Sequence, residues 1–252
     1  MTNSQMTTLA FLIIFIATLL GSTAPFFIKS KNYKKLNAIS LGFSSGVMFA
    51  GSIWSLILPS ISLSQNLGNL KLLPVVVGII LGGIFISLLQ KFLPTKNVDT
   101  VGIKPIKLFT AVTVHNIPEG LAVGFSFGSA KLLGEGSYIT ALLFAIGIAI
   151  QNIPEGCSVA LPFYNLTKSR KKGFLMGALS GVVEPFCALL GFLLCYKIAF
   201  IEPWLLAFSA GAMVFVVIED LIPDISENFK KVGNWSFILG FIIMMALDVM
   251  LG

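Results

Sequence analysis

Val112–Gly120 reads VTVHNIPEG, and Ala149–Gly156 reads AIQNIPEG. Each stretch sets ionisable or amide side chains and a proline in the middle of an apolar run. An ionisable residue at membrane depth is costly and marks a functional site by default. The Asn-Ile-Pro-Glu-Gly wording occurs twice, about one membrane span apart, so the two insertions are read as halves of one feature.

The surrounding chain makes membrane depth the right frame. Of 252 residues, 56% are hydrophobic and 11% charged, and the mean hydropathy is +0.94. A soluble domain carries roughly 25% charged residues, so a membrane protein is implied. The net charge of +6 does not indicate nucleic-acid binding, because the lysines lie in connections and no basic patch is interleaved with aromatics. Cys157, Cys187 and Cys195 all fall in apolar runs without CxxC spacing. That pattern indicates neither a disulfide framework nor a thiolate zinc site; small buried hydrophobes is the plainer reading, with Cys157 a weak candidate for lining a pocket. The N-terminus MTNSQMTT lacks the basic segment of a cleaved signal, so the first apolar run is expected to remain as a span.

A helix needs about 20 apolar residues to cross the hydrocarbon core. On that measure the chain divides into eight runs, near 8–28, 38–62, 72–93, 106–129, 137–163, 173–197, 203–224 and 234–251. Fourteen of the 17 Lys and Arg residues lie at odd-numbered connections: Lys29 to Lys35, Lys91 to Lys107, Lys168 to Lys172, and Lys230 with Lys231. Only Lys71, Lys131 and Lys197 occupy the even ones. Positive residues stay inside, so both termini are expected outside. The connections are short, so residues 1–252 form one all-α transmembrane domain with no soluble part. Small residues such as Gly42 and Gly46, Gly78 and Gly82, and Gly177 and Gly181 fit close helix packing.

His115 and Glu119 are four residues apart, which puts them on one helical face, where imidazole and carboxylate can grip one cation. Pro118 and Pro154 cannot donate to the carbonyls of Val114 and Ile150; oxygens so freed are tolerated where they are buried in protein or line a watery cavity. In the second copy Gln151 stands for His115, while Asn152 and Glu155 match Asn116 and Glu119. Consecutive spans run oppositely, so the copies lie antiparallel, as an inverted repeat requires. Glu184 lies mid-run in the sixth and precedes Pro185; Glu219 and Asp220 lie toward the cytoplasmic end of the seventh. Clustered carboxylates without Lys or Arg need protons or cations. Asn116 or Gln151 alone would be read as a packing hydrogen bond, and Asp224 and Glu227 as a solvated helix end. The donor set suits Zn²⁺, Fe²⁺ or Mn²⁺ rather than copper(I), while calcium would dispense with the chain's one histidine. Met48 could lend a thioether, although packing is its plainer role.

At these residues the sequence resembles the ZIP family of divalent metal-ion transporters, through HNIPEG, QNIPEG and the Ser180–Pro185 SGxxEP element. The resemblance implies transport of Zn²⁺ and similar ions, Cd²⁺, Fe²⁺ or Mn²⁺, into the cytoplasm across a cell membrane. It also implies a binuclear midplane site, a three-plus-two-plus-three arrangement with inverted repeats, and a homodimer. One metal position would use His115, Glu119 and Glu155, with Met48 near. The adjacent one would use Asn116, Asn152, Glu155, Glu184 and Gln151, and Glu219 would lie on the way out. The metal is cargo; no resident cofactor or nucleic-acid partner is expected. Gln151 and Asn152 depart from relatives with histidine or aspartate there, leaving the second position less charged. An intramembrane metalloprotease would need HExxH, which one histidine cannot supply. A proton-coupled transporter of another small solute would leave the His115–Glu119 spacing incidental, and a non-transporting scaffold would leave the repeated acid-proline elements unexplained.

Overall fold

In lipid every backbone polar group must find its partner inside the protein, and long apolar runs meet that demand by becoming helices. The computed structural model describes residues 1–27, 33–92 and 100–251, with the side chains of 100–104, 132–133, 135–136, 196–199 and 251 left out. Lys29, Lys31, Lys96 and most of the third connection lie outside the described residues.

Helix α1 (Asn3–Ser22) starts earlier than its apolar run because Thr2 and Gln5 form a reciprocal capping box. Next come α2 (Tyr33–Gly51), α3 (Leu73–Phe92), α4 (Thr100–Leu133) and α5 (Glu135–Thr167). They are followed by α6 (Arg170–Gly181), α7 (Val183–Ile198), α8 (Glu202–Val216) and α9 (Lys230–Leu251). Helix α2 continues through a π turn, Ser52–Ile57, into Leu58–Leu63, and α8 continues into a π turn at Val217–Leu221.

Seven segments are long and apolar enough to cross a membrane among the described residues. The remaining expected span, the fourth, lies in α4, which at 34 residues is the longest helix among the described residues yet is not one of the seven. Its middle carries His115, Asn116, Pro118 and Glu119. Burial inside the protein, rather than hydropathy, keeps that polar centre in place: all four are buried, and His115, Asn116 and Glu119 wholly so. The sixth expected run is not one unbroken helix. It divides at Val182 into α6 and α7, because Pro185 has no N–H to continue the ladder.

Four helix pairs dominate the packing: α1 on α5, α4 on α7, α3 on α8 and α2 on α9. In each pair a glycine brings the partner backbone close. A Cβ on Gly21 would overlap the carbonyl of Ile153, on Gly124 that of Ala188, on Gly82 that of Phe208 and on Gly46 that of Phe237. These pairs assemble into two groups, α1–α4–α5–α6–α7 and α2–α3–α8–α9, which meet where α2 packs on α5 and α8 on α4. Outward faces are aliphatic and aromatic, with Ile80 and Ile84 of α3, Phe186 and Leu193 of α7 and Trp235 of α9 exposed. Those faces suit acyl chains as their surroundings.

Candidate metal centre

Gly134, at φ 103°, links α4 to α5 in a conformation that side chains rarely adopt. It lies midway between Glu119 and Gln151, so the hairpin brings HNIPEG against QNIPEG. Glycines at 120, 124 and 128 form the face of α4 that meets Glu184, Ala188 and Cys195 of α7. Helices α4, α5 and α7 place His115, Asn116, Glu119, Gln151, Asn152, Glu155 and Glu184 together, all fully buried.

The cluster has two layers. In the first, His115, Glu119 and Glu155 each offer a ligand atom, all within 4.8 Å of one another. His115 Nδ1 lies 3.2 Å from the carbonyl of Ala111, one turn back. A carbonyl only accepts, so Nδ1 carries the hydrogen and Nε2 is left with a lone pair. Nε2 faces Glu155 Oε2 at 3.4 Å. Ligands about 2.1 Å from one zinc ion stand about 3.4 Å apart in a tetrahedron, so this pair already has the required separation. Gln151 Nε2 donates to Glu119 Oε1 at 2.7 Å and to Glu155 Oε1 at 3.2 Å. The second oxygens of both carboxylates, His115 Nε2 and Gln151 Oε1 are buried with no hydrogen-bond partner among the described residues. Buried polar atoms are otherwise almost always satisfied. A divalent cation with this imidazole and two carboxylates meets that demand and balances their charge.

The second layer is organised around Glu184, in the first turn of α7. Its Oε1 accepts from Thr18 Oγ1 at 3.1 Å and from Asn116 Nδ2 at 3.0 Å. Its Oε2 accepts from Asn152 Nδ2. Thr18 and Met213 were not singled out from the sequence. Thr18 could have been noticed as a hydroxyl buried in the first apolar run; Met213, whose sulfur lies 3.9 Å from Gln151 Nε2, carries no such signal. Met48 is buried in the apolar core, where its sulfur accepts from Ser44 at 3.7 Å. Glu219 is exposed on the π turn after α8 and stands apart from the buried cluster.

A cavity of about 630 Å³ lies farther along the helices that carry the first layer. Its wall includes Ala122 and Ser126, one and two turns beyond Glu119, and Gly147, one turn before Gln151. Asp248 of α9 lies there too, accepting from Ser55 at 2.8 Å, with its other oxygen unpartnered among the described residues.

The sequence pattern of the ZIP zinc transporter family matches residues 95–248. Zinc transporter ZIP11 of Xenopus tropicalis is 32% identical, over 92% of this chain and 93% of that protein. Zinc transporter GufA of Myxococcus xanthus is 32% identical, over 94% and 98%. Zinc transporter ZupT of Chlorobaculum parvum is 33% identical, over 94% and 93%. The chain belongs to the ZIP family of zinc transporters. It is therefore a multi-pass membrane protein of a transporter family, not an enzyme. The ZIP pattern spans α4 to α9, and so includes both layers of the buried cluster apart from Thr18.

Proposed function

We propose that this protein carries divalent transition-metal ions into the cytoplasm, zinc foremost and cadmium, iron or manganese as further cargo. The observation that carries the reading is that His115, Glu119 and Glu155 each offer a ligand atom within 4.8 Å of the others, while His115 Nε2, Glu119 Oε2 and Glu155 Oε2 have no hydrogen-bond partner among the described residues. In this reading the ion sheds water as those three atoms replace its shell. Gln151 holds the two carboxylates in register through their other oxygens, and its carbonyl is free to turn toward the ion. Asn116, Asn152 and Glu184 form the polar layer beneath. Met48 supports the wall through packing. Glu219 and Asp220 border the route out.

The assembly proposed is eight spans in a three-plus-two-plus-three inverted arrangement within one domain, residues 1–252, with both termini outside. Exchanging the first span with the sixth, the second with the seventh, the third with the eighth and the fourth with the fifth maps α1 on α5 onto α7 on α4. The same exchange maps α2 on α9 onto α8 on α3, and the π turn at Ser52–Ile57 onto that at Val217–Leu221. That correspondence supports the repeat. Placement of the 14 positive residues supports the orientation, and the cavity at Asp248 then opens outward. Alternating access follows if the two helix groups shift against each other. The protein is proposed to work in a cell membrane as a homodimer. Use of the carboxylates for another, proton-coupled solute would leave the fixed His115 tautomer without a purpose.

Zinc uptake into liposomes by the purified protein tests this. Wild type is expected to load zinc, and His115→Ala and Glu155→Ala to lose at least tenfold in rate. Variants that match wild type for every metal would refute the site, and a wild type that moves no metal would refute the carrier.

A further inference from the structure

Asn116 and Asn152 are held in one orientation by groups that can only accept. Asn116 Nδ2 lies 3.2 Å from the backbone carbonyl of Ser180 as well as beside Glu184 Oε1. Asn152 Nδ2 lies 3.1 Å from the backbone carbonyl of Ile14 as well as beside Glu184 Oε2. A carbonyl cannot donate, so the nitrogen of each amide must face it, and each amide has two hydrogens to give. One goes to the carbonyl of another helix and one to Glu184. With Thr18 Oγ1, Glu184 receives three protein hydrogen bonds across its two oxygens. It also sits in the first turn of the 16-residue α7, the end of a helix at which negative charge is stabilised.

A carboxylate so enclosed does not need a cation, and one that displaced these donors would break three hydrogen bonds. The first layer is different. There two carboxylates have a single amide nitrogen between them and keep one free oxygen each, so a divalent ion balances them in full. A second ion beside it would find only the neutral carbonyl oxygens of Asn116 and Asn152, which are unpartnered among the described residues. Two like charges would then share a site whose free anionic oxygens one ion has already used.

We infer that the site loads one divalent cation per chain, on His115, Glu119 and Glu155, and that Glu184 orients the Asn116 and Asn152 amides instead of binding a second ion. This rests on the metal site proposed above. Asn152 sets the stoichiometry: an aspartate there would lose the donor to Glu184 and supply a second free carboxylate.

The full-length protein in nanodiscs, dialysed against Co²⁺ and measured by elemental analysis, visible absorption and electron paramagnetic resonance, tests the inference. Wild type should hold one cobalt per chain with an uncoupled signal. Asn152→Asp should hold two, exchange-coupled. Glu184→Gln should keep the wild-type visible band, since no ligand has changed. Two cobalt ions in wild type, one in Asn152→Asp, or a shifted band in folded Glu184→Gln would each overturn it; the wild-type count stands even if a variant fails to fold. His115→Ala separates the two claims. Cobalt bound to that variant with an unchanged band would sink the metal site itself, whereas loss of cobalt there with two ions in wild type would sink only the single-ion inference.

Discussion

One amide nitrogen, Gln151 Nε2, reaches the outer oxygens of both Glu119 and Glu155. Without a metal it is the only donor shared by the two buried acids among the described residues. Hydrogen bonds to charged groups contribute about 2 kcal/mol, so Gln151→Ala should melt several degrees below wild type in a chelator. Zinc would then supply the missing positive charge, and the gap should shrink in its presence. Equal losses with and without zinc, read by thermal unfolding of the purified protein, would show that the bridge does not act on the acids. The sequence made this residue visible as the counterpart of His115 and a candidate ligand of the second position, not as a donor to both acids. Its role depends on the carboxylate of another helix, 32 residues away, and on which of its two amide atoms faces that group. Glu184 is the stronger instance, because one of its donors, Thr18, is 166 residues distant and lies in a run that composition marks only as apolar.

At the scale of elements, hydrophobic attraction does not distinguish a neighbouring helix from lipid, so close backbone approach has to drive pairing. Gly120, Gly124 and Gly128 provide it on α4: added Cβ atoms would overlap Glu184, Ala188 and Cys195 of α7. Gly124→Val should force these helices apart at a cost of about 1–3 kcal/mol. The expected result is a lower melting temperature together with weaker zinc binding, since a displaced α4 would carry His115 and Glu119 away from Glu155 of α5. Retained zinc affinity at an unchanged melting temperature would show that the ridge is not needed. The apolar lengths located the helices, and Pro185 marked a place where one could break. They did not reveal that α4, the least membrane-like by composition, is held at the centre by its neighbours.

For the whole molecule, the two helix groups must move relative to each other if the ion is to change sides. Ser40 of α2 and Cys157 of α5 stand on opposite groups with Oγ and Sγ 3.0 Å apart. In Ser40→Cys an oxidant should close a disulfide there, since the side chains already meet. Zinc uptake should stop and return on reduction, while equilibrium zinc binding persists. Uptake that continues in the oxidised protein would mean the groups need not slide at this contact. The sequence by itself determined the membrane setting, the helical class, the inside-positive bias and the paired motif, because each is written in local composition or spacing. Only the tertiary structure decided that His115, Glu119 and Glu155 share one gap while Glu184 is already satisfied, because hydrogen-bond direction and charge balance depend on which distant helices are brought together.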